Sequence, residues 1–304
     1  MANKQVFIIG CPRSGTTFLL NLMASNTRFA WVSKEMDQQP FAYELVEKLK
    51  VFSKFYFGKK SYFNAGRRGL PTPVEAWNFW NNHFSYFQWH PKFSAVPRNA
   101  FPGDSNDEEI KNTRAAVNKI CSFAGKDFFL SKYTDYPRVQ LIRSAFPEAK
   151  FIHIVRDGRA VANSYKKMIA SGTFNTAKEE QNWLKAWKPE WQNQYLFKYH
   201  NPLAFTIYQW KHFVTEIKEE LKAIPQNDFI EIRYEQLIEN SAKTTNFILD
   251  FLNVNMDANM RYFLKHKAID DNNKKWQQQF SETEKQMALD IIEEDYLKKY
   301  LEAK

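Results

Sequence analysis

Val6-Phe7-Ile8-Ile9-Gly10-Cys11-Pro12-Arg13-Ser14-Gly15-Thr16-Thr17 is the stretch whose reading decides the fold. Four consecutive apolar residues form a short buried strand, residues 10–15 form a turn, and residues 16–24 are compatible with a helix. A second apolar run, Phe29-Ala30-Trp31-Val32, completes the order strand, turn, helix, strand, which is the unit of a parallel sheet. A loop in that position aims backbone N–H groups and the positive end of a helix dipole at one point, so it is a phosphate cradle. Gly10 and Gly15 have the Gly-x-x-x-x-Gly spacing of an ATP or GTP loop, yet the position that holds a lysine in those loops is Thr16. With Arg13 inside the turn instead, the loop suits a nucleotide with a short 5′ group, no γ-phosphate and no obligatory metal ion.

The same pattern returns downstream. Residues 127–130, 150–155 and 228–232 read as strands, and residues 139–146, 159–169 and 205–224 as amphipathic helices between them. The fold class is therefore α/β: a P-loop-containing nucleotide-binding fold with a central, doubly wound parallel sheet flanked by helices. Residues 52–102 break the periodicity with Trp77, Trp80, Trp89 and turn signals at Pro71, Pro73 and Pro91. So many aromatics predict a mainly helical and loop insert packed on the sheet rather than a linker. No boundary cuts the chain, so residues 1–304 are read as a single domain, closing on a polar helix over 281–303 with a Ser281/Glu284 capping box.

Composition narrows the class further. The chain has 304 residues, 44% of them hydrophobic and 16% aromatic, enough for a full core. Its 43 basic and 34 acidic side chains leave a net charge of +9, which favours an anionic partner without choosing between a nucleotide, nucleic acid and an acidic membrane face. Cys11 and Cys121 are the only cysteines, which argues against a disulfide framework or a cysteine metal site and for a reducing compartment. No apolar run approaches the ~20 residues of a membrane span, the first apolar segment lacks a signal-peptide layout, and no Asn-x-Ser/Thr acceptor occurs. A cytoplasmic protein without a transmembrane segment is expected.

A second constellation follows residues 150–155: Arg156-Asp157-Gly158-Arg159-Ala160-Val161-Ala162-Asn163-Ser164. Arg156 leaves a strand at its C-terminal end, where ligands collect in open α/β sheets, and Ser164 lies about two helical turns on. Together the two constellations resemble the sulfotransferase superfamily, enzymes that use 3′-phosphoadenosine 5′-phosphosulfate. The Arg-Asp-Gly-Arg-Ala wording is nearest to its tyrosylprotein and bacterial branch. The resemblance implies that Arg13, Ser14, Gly15, Thr16 and Thr17 hold the 5′-phosphosulfate and that Arg156 and Ser164 hold the 3′-phosphate. Arg233-Tyr234-Glu235-Gln236-Leu237 resembles a late strand-to-turn signature of the family. Lys274-Lys275-Trp276 resembles the segment that closes over the nucleotide, with Lys275 and Trp276 as contacts, although Asn272 and Asn273 stand where members often have glycine. The insert over 52–102 has no counterpart and is the expected acceptor side.

Sulfuryl transfer requires a proton acceptor for the attacking hydroxyl and stabilisation of the leaving phosphate. By the same resemblance Lys132 serves the leaving group. No histidine follows it in Tyr133-Thr134-Asp135-Tyr136, where cytosolic members often carry one, and the resemblance to other branches implies Glu35, just after the second strand, as the base, with Asp37 as the substitute. His153 reads as a core histidine. Trp183, Trp187 and Trp191, spaced four apart, read as one helix face that packs in the core. The expectation is a metal-independent sulfotransferase acting on the hydroxyl of a small molecule, glycan or peptide, with no nucleic-acid partner. The rivals are a P-loop kinase or NTPase, and a non-catalytic nucleotide- or nucleic-acid-binding module.

Overall fold

Alternation along the first strand organises the whole molecule. The computed structural model describes residues 4–39, 42–57 (51–57 by backbone only), 71–84, 102–134, 136–267 and 271–292. Five strands, β1 (Lys4–Gly10), β2 (Phe29–Trp31), β3 (Phe128–Thr134), β4 (Lys150–Val155) and β5 (Phe229–Arg233), form a parallel sheet in the order β2-β3-β1-β4-β5. In β1, Phe7 and Ile9 enter a core on one face with Phe129, Phe151 and Trp80, while Val6 and Ile8 enter a core on the other with Leu19, Leu130, Ile152 and Ile248. Side chains two apart share a face, so this strand is apolar on both sides and is buried from Gln5 to Gly10. The chain leaves β1 for the β2 edge, returns to β3 and then crosses to β4, with β1 lying between β3 and β4. That reversal opens a crevice at the C-terminal end of β1, where the glycine loop lies.

The predicted elements are found with small shifts, and β4 spans the residues read from sequence. The larger difference is in β3, which continues past residue 130 to Thr134. Ser131 and Lys132 are polar, but both are buried because neighbouring strands and the 71–84 segment cover them. The described part of the insert packs on the sheet as expected: the Trp80 ring sits 5.7 Å from that of Phe7, and its indole N–H donates to Ser131 Oγ at 3.1 Å. Trp89 and Pro91 lie outside the described residues. Trp183, Trp187 and Trp191 are core residues, but they do not share one helix. The helix Thr176–Trp183 passes into a 3-10 turn, and a new helix, Pro189–Lys198, starts at Pro189. His153 is fully buried, its Nδ1 3.0 Å from Glu231 Oε2. The last described helix, Glu282–Ile292, has both halves of its capping box: Ser281 N–H donates to Glu284 at 2.8 Å and Glu284 N–H donates to Ser281 Oγ at 3.2 Å. Among the described residues, no helix is long and apolar enough to cross a membrane.

One buried carboxyl makes stability pH-dependent. Glu220 Oε2 accepts the Val139 and Gln140 N–H groups at 2.7 and 3.3 Å, and burial pushes its pKa up to about 7. The folded state therefore prefers the protonated form. Its contribution to stability is full below the ordinary carboxylate value and declines as pH rises from about 4.5 to about 7, by up to about 3 kcal/mol. Glu220→Gln still offers an acceptor and removes the charge. The variant's melting temperature relative to wild type is expected to rise between pH 5 and pH 8; an unchanged difference would place the titration elsewhere.

Candidate active site

The glycine loop has the conformation its composition suggests. Gly15 has φ +89°, and a Cβ there would stand 2.4 Å from the ring of Tyr234, so both the turn and the close approach exclude a side chain. Arg13 also adopts a positive φ, 71°. The helix Thr16–Ala24 starts immediately after the loop, and Ser14 is buried with a hydroxyl that has no hydrogen-bond partner. Such a loop presents backbone N–H groups, with the Ser14 hydroxyl as a spare donor, at a place that suits an anion.

The lysine missing at position 16 is replaced in space by Lys132 from β3. Residue 132 is in register with Ile8 of β1, and its ammonium donates to Thr17 Oγ1 at 3.0 Å and Thr16 Oγ1 at 3.3 Å. It also pairs with Glu75 Oε2 at 3.0 Å. Glu75 was not legible from sequence. Its segment is tied to the end of β2: Val74 N–H donates to Val32 O, Lys34 N–H donates to Thr72 O, and Ser33 bridges Pro73. The other Glu75 oxygen accepts from Thr134 N–H at 2.5 Å and Thr134 Oγ1 at 2.6 Å. Three donors thus hold one carboxylate against the phosphate loop.

The sequence-nominated carboxylates lie differently. Glu35 is on the short helix Lys34–Gln38, with Oε2 buried and unpartnered, and is not among the residues lining the cleft. Asp37 is fully engaged: its oxygens accept from Phe79 N–H at 2.9 Å and Asn78 Nδ2 at 3.0 Å, capping the helix Trp77–Asn81 that follows Glu75. Asp37 is therefore a support for the Glu75 segment.

On the opposite wall, Arg13, Arg156 and Ser164 meet. Arg13 Nε donates to Ser164 Oγ at 3.0 Å, and Arg156 Nη1 donates to the Arg13 carbonyl at 2.9 Å. Arg156 is only 7% exposed, its guanidinium 4.4 Å from the centre of the Tyr234 ring. Burial works against its charge and pushes its pKa down, opposed by Tyr234, Glu235 and Asp157. Gly158 keeps the next helix tight, since a Cβ there would meet the Trp210 ring at 2.5 Å, and the Trp210 indole donates to the Arg156 carbonyl at 3.0 Å. Lys275 is exposed and lies outside the cleft lining. Trp276 is half-buried under the Arg159 guanidinium at 4.2 Å and likewise lies outside the lining, whereas Asn272 is part of it.

Between these walls is a cavity of about 560 Å³. Among the described residues, Arg13, Lys132, Arg156 and Lys167 face it together with a single carboxylate, Glu75. The volume suits a nucleotide and the charge suits a polyanion.

A family model described as Sulfotransferase family matches residues 5–258. The omega-hydroxy-beta-dihydromenaquinone-9 sulfotransferase Stf3 of Mycobacterium bovis is 26% identical over 173 residues, and the protein of that name from Mycobacterium tuberculosis gives the same values. The matched stretch is 52% of this chain and 43% of the relatives, so the chain aligns with less than half of their length. The solved sulfotransferase STF9 from Mycobacterium avium superposes with a TM-score of 0.58 at 14% identity, covering 100% of this chain and 77% of that one. STF1 from Mycobacterium tuberculosis gives 0.54 at 12% identity, covering 96% and 77%. At such identities the superpositions speak for the fold.

Proposed function

Because the chain belongs to the sulfotransferase family, we propose that it transfers the sulfuryl group of 3′-phosphoadenosine 5′-phosphosulfate to an acceptor hydroxyl. The observation that carries this reading is the placement of Lys132 over a glycine loop that lacks its own lysine, in a cleft where, among the described residues, four cations face one carboxylate. The residues present fit this donor: the loop N–H groups and the buried Ser14 hydroxyl suit its 5′ end, and Arg13, Arg156 and Ser164 suit a second phosphate. The donor, when bound, supplies an activated sulfur and a phosphate leaving group. Glu75 takes the acceptor's proton as the oxygen attacks in line, since among the described residues it is the carboxylate that faces the cleft; Glu35 is the alternative one helix away. The S–O bond to the 5′-phosphate breaks with its electron pair left on that phosphate. Lys132, a compact charge on a flexible stem, follows the charge developing there.

The Stf3 relatives are named for an omega-hydroxylated dihydromenaquinone, and an alcohol-bearing acceptor is the class we infer for this chain. The kinase reading requires a loop lysine and a metal-bound γ-phosphate, and position 16 is threonine. Calorimetry separates the two. Adenosine 3′,5′-bisphosphate is expected to bind at least about tenfold more tightly than ATP with Mg²⁺, about 1.4 kcal/mol. Equal or tighter ATP binding would overturn the sulfotransferase reading.

A further inference from the structure

A guanidinium that is nearly buried is normally paired with a carboxylate, because an isolated charge loses its hydration. Arg156 is 7% exposed, and two acids, Asp157 and Glu235, flank it and attract its charge, yet its guanidinium donates to neither of them. Asp157 is taken by Arg159, whose Nη2 and Nε donate to its Oδ2 and Oδ1 at 2.8 and 3.0 Å. Glu235 Oε1 accepts from the Asp157 N–H at 3.1 Å and from Asn273 Nδ2 at 2.8 Å. The other end of that same amide accepts from Arg156 Nε at 3.0 Å. Asn273 is thus interposed between the cation and the carboxylate, and the hydrogen-bond partners of Arg156 are the neutral Asn273 Oδ1 and Arg13 carbonyl.

We propose that Asn273 is a positioning residue that keeps Glu235 from closing directly on Arg156: the carboxylate supports the buried charge from a distance, while the guanidinium stays aimed at the second phosphate of the nucleotide. A charge-assisted hydrogen bond to phosphate is strong only while the cation is not already neutralised. The amide performs two tasks that alanine or glycine cannot: it fixes the plane of the guanidinium through Nε, and it occupies the Glu235 oxygen that would otherwise close on Arg156. Asn273 lies beyond residue 258, where the family match ends, on a segment fixed by its own hydrogen bond from Asn273 N–H to Asp271 Oδ1 at 3.0 Å.

The inference rests on the nucleotide assigned above, and its test separates the two. Calorimetry on the full chain measures the affinity for adenosine 3′,5′-bisphosphate relative to adenosine 5′-monophosphate, which lacks the second phosphate. Wild type is expected to prefer the bisphosphate. Asn273→Ala is expected to cut that preference by about tenfold or more while the monophosphate affinity stays within about threefold, so the monophosphate reports an intact site. Asn273→Ala combined with Glu235→Gln is expected to restore most of the preference, since the collapsing charge is gone; a merely structural role for Asn273 would not be rescued in this way. A wild type without preference overturns the nucleotide assignment and the inference with it. A preference that Asn273→Ala leaves within threefold, or that Glu235→Gln fails to restore, overturns the positioning role alone.

Discussion

Glu75→Gln is expected to lower kcat by about 10²- to 10⁴-fold while changing the affinity for adenosine 3′,5′-bisphosphate by less than about threefold. The substitution conserves shape. A glutamine oxygen at the same place still accepts from Thr134 N–H and Oγ1, so the end of β3 and the 72–79 segment keep their anchor. What disappears is the charge that pairs with Lys132 and, with it, an acceptor able to take the proton of the attacking hydroxyl. Sulfate transfer from labelled donor, read against binding of the bisphosphate, distinguishes this loss from a general disturbance of the cleft. Glu35→Gln is the paired measurement. Glu35 does not line the cavity, and its substitution is expected to leave kcat within about threefold of wild type. If Glu35→Gln instead abolishes transfer and Glu75→Gln is mild, the base is Glu35 and the Glu75–Lys132 pair serves only to hold the lysine.

Lys132→Ala is expected to reduce kcat by about 10²- to 10³-fold, equivalent to roughly 3–4 kcal/mol, the scale of removing one aimed donor from a developing negative charge. Its effect on bisphosphate affinity is expected to be smaller, under about tenfold, because the loop N–H groups and the Arg13–Arg156 wall remain. Lys132→Arg should not restore activity. The site is 6% exposed and bounded by Thr16, Thr17 and Glu75 at about hydrogen-bond distance, so a planar, branched guanidinium does not occupy the volume of an ammonium. Equal losses of kcat and of bisphosphate binding would instead make Lys132 a ground-state binding residue.

These two side chains show where sequence reading reaches its limit. Lys132 stands out through its family resemblance, yet the apolar run that marks the strand ends at residue 130. Alternating patterns assume a polar residue faces water, and here Lys132 is polar and buried because Glu75 compensates it. Glu75 itself stands in Pro71-Thr72-Pro73-Val74-Glu75, a turn-rich stretch with no local chemical signature. Asp37 is the substitute base in the sequence reading; its hydrogen bonds show it capping a helix. By contrast, the proximity of Arg13 and Arg156 is legible, because both follow strand ends that a parallel sheet gathers at one edge. Ser164, two helical turns further on, is reached through the family resemblance.

The sequence by itself determined the sheet, the loop and the anion-binding character of the site, because apolar runs, glycine positions and the residues that follow strand ends are local features that the backbone translates directly. Only the tertiary structure decided which charges meet. Glu75 reaches Thr134 across 59 positions and Asn273 reaches Arg156 across 117. Whether a carboxylate at such separations neutralises a cation, supports it or is kept from it depends on a few ångströms of side-chain placement.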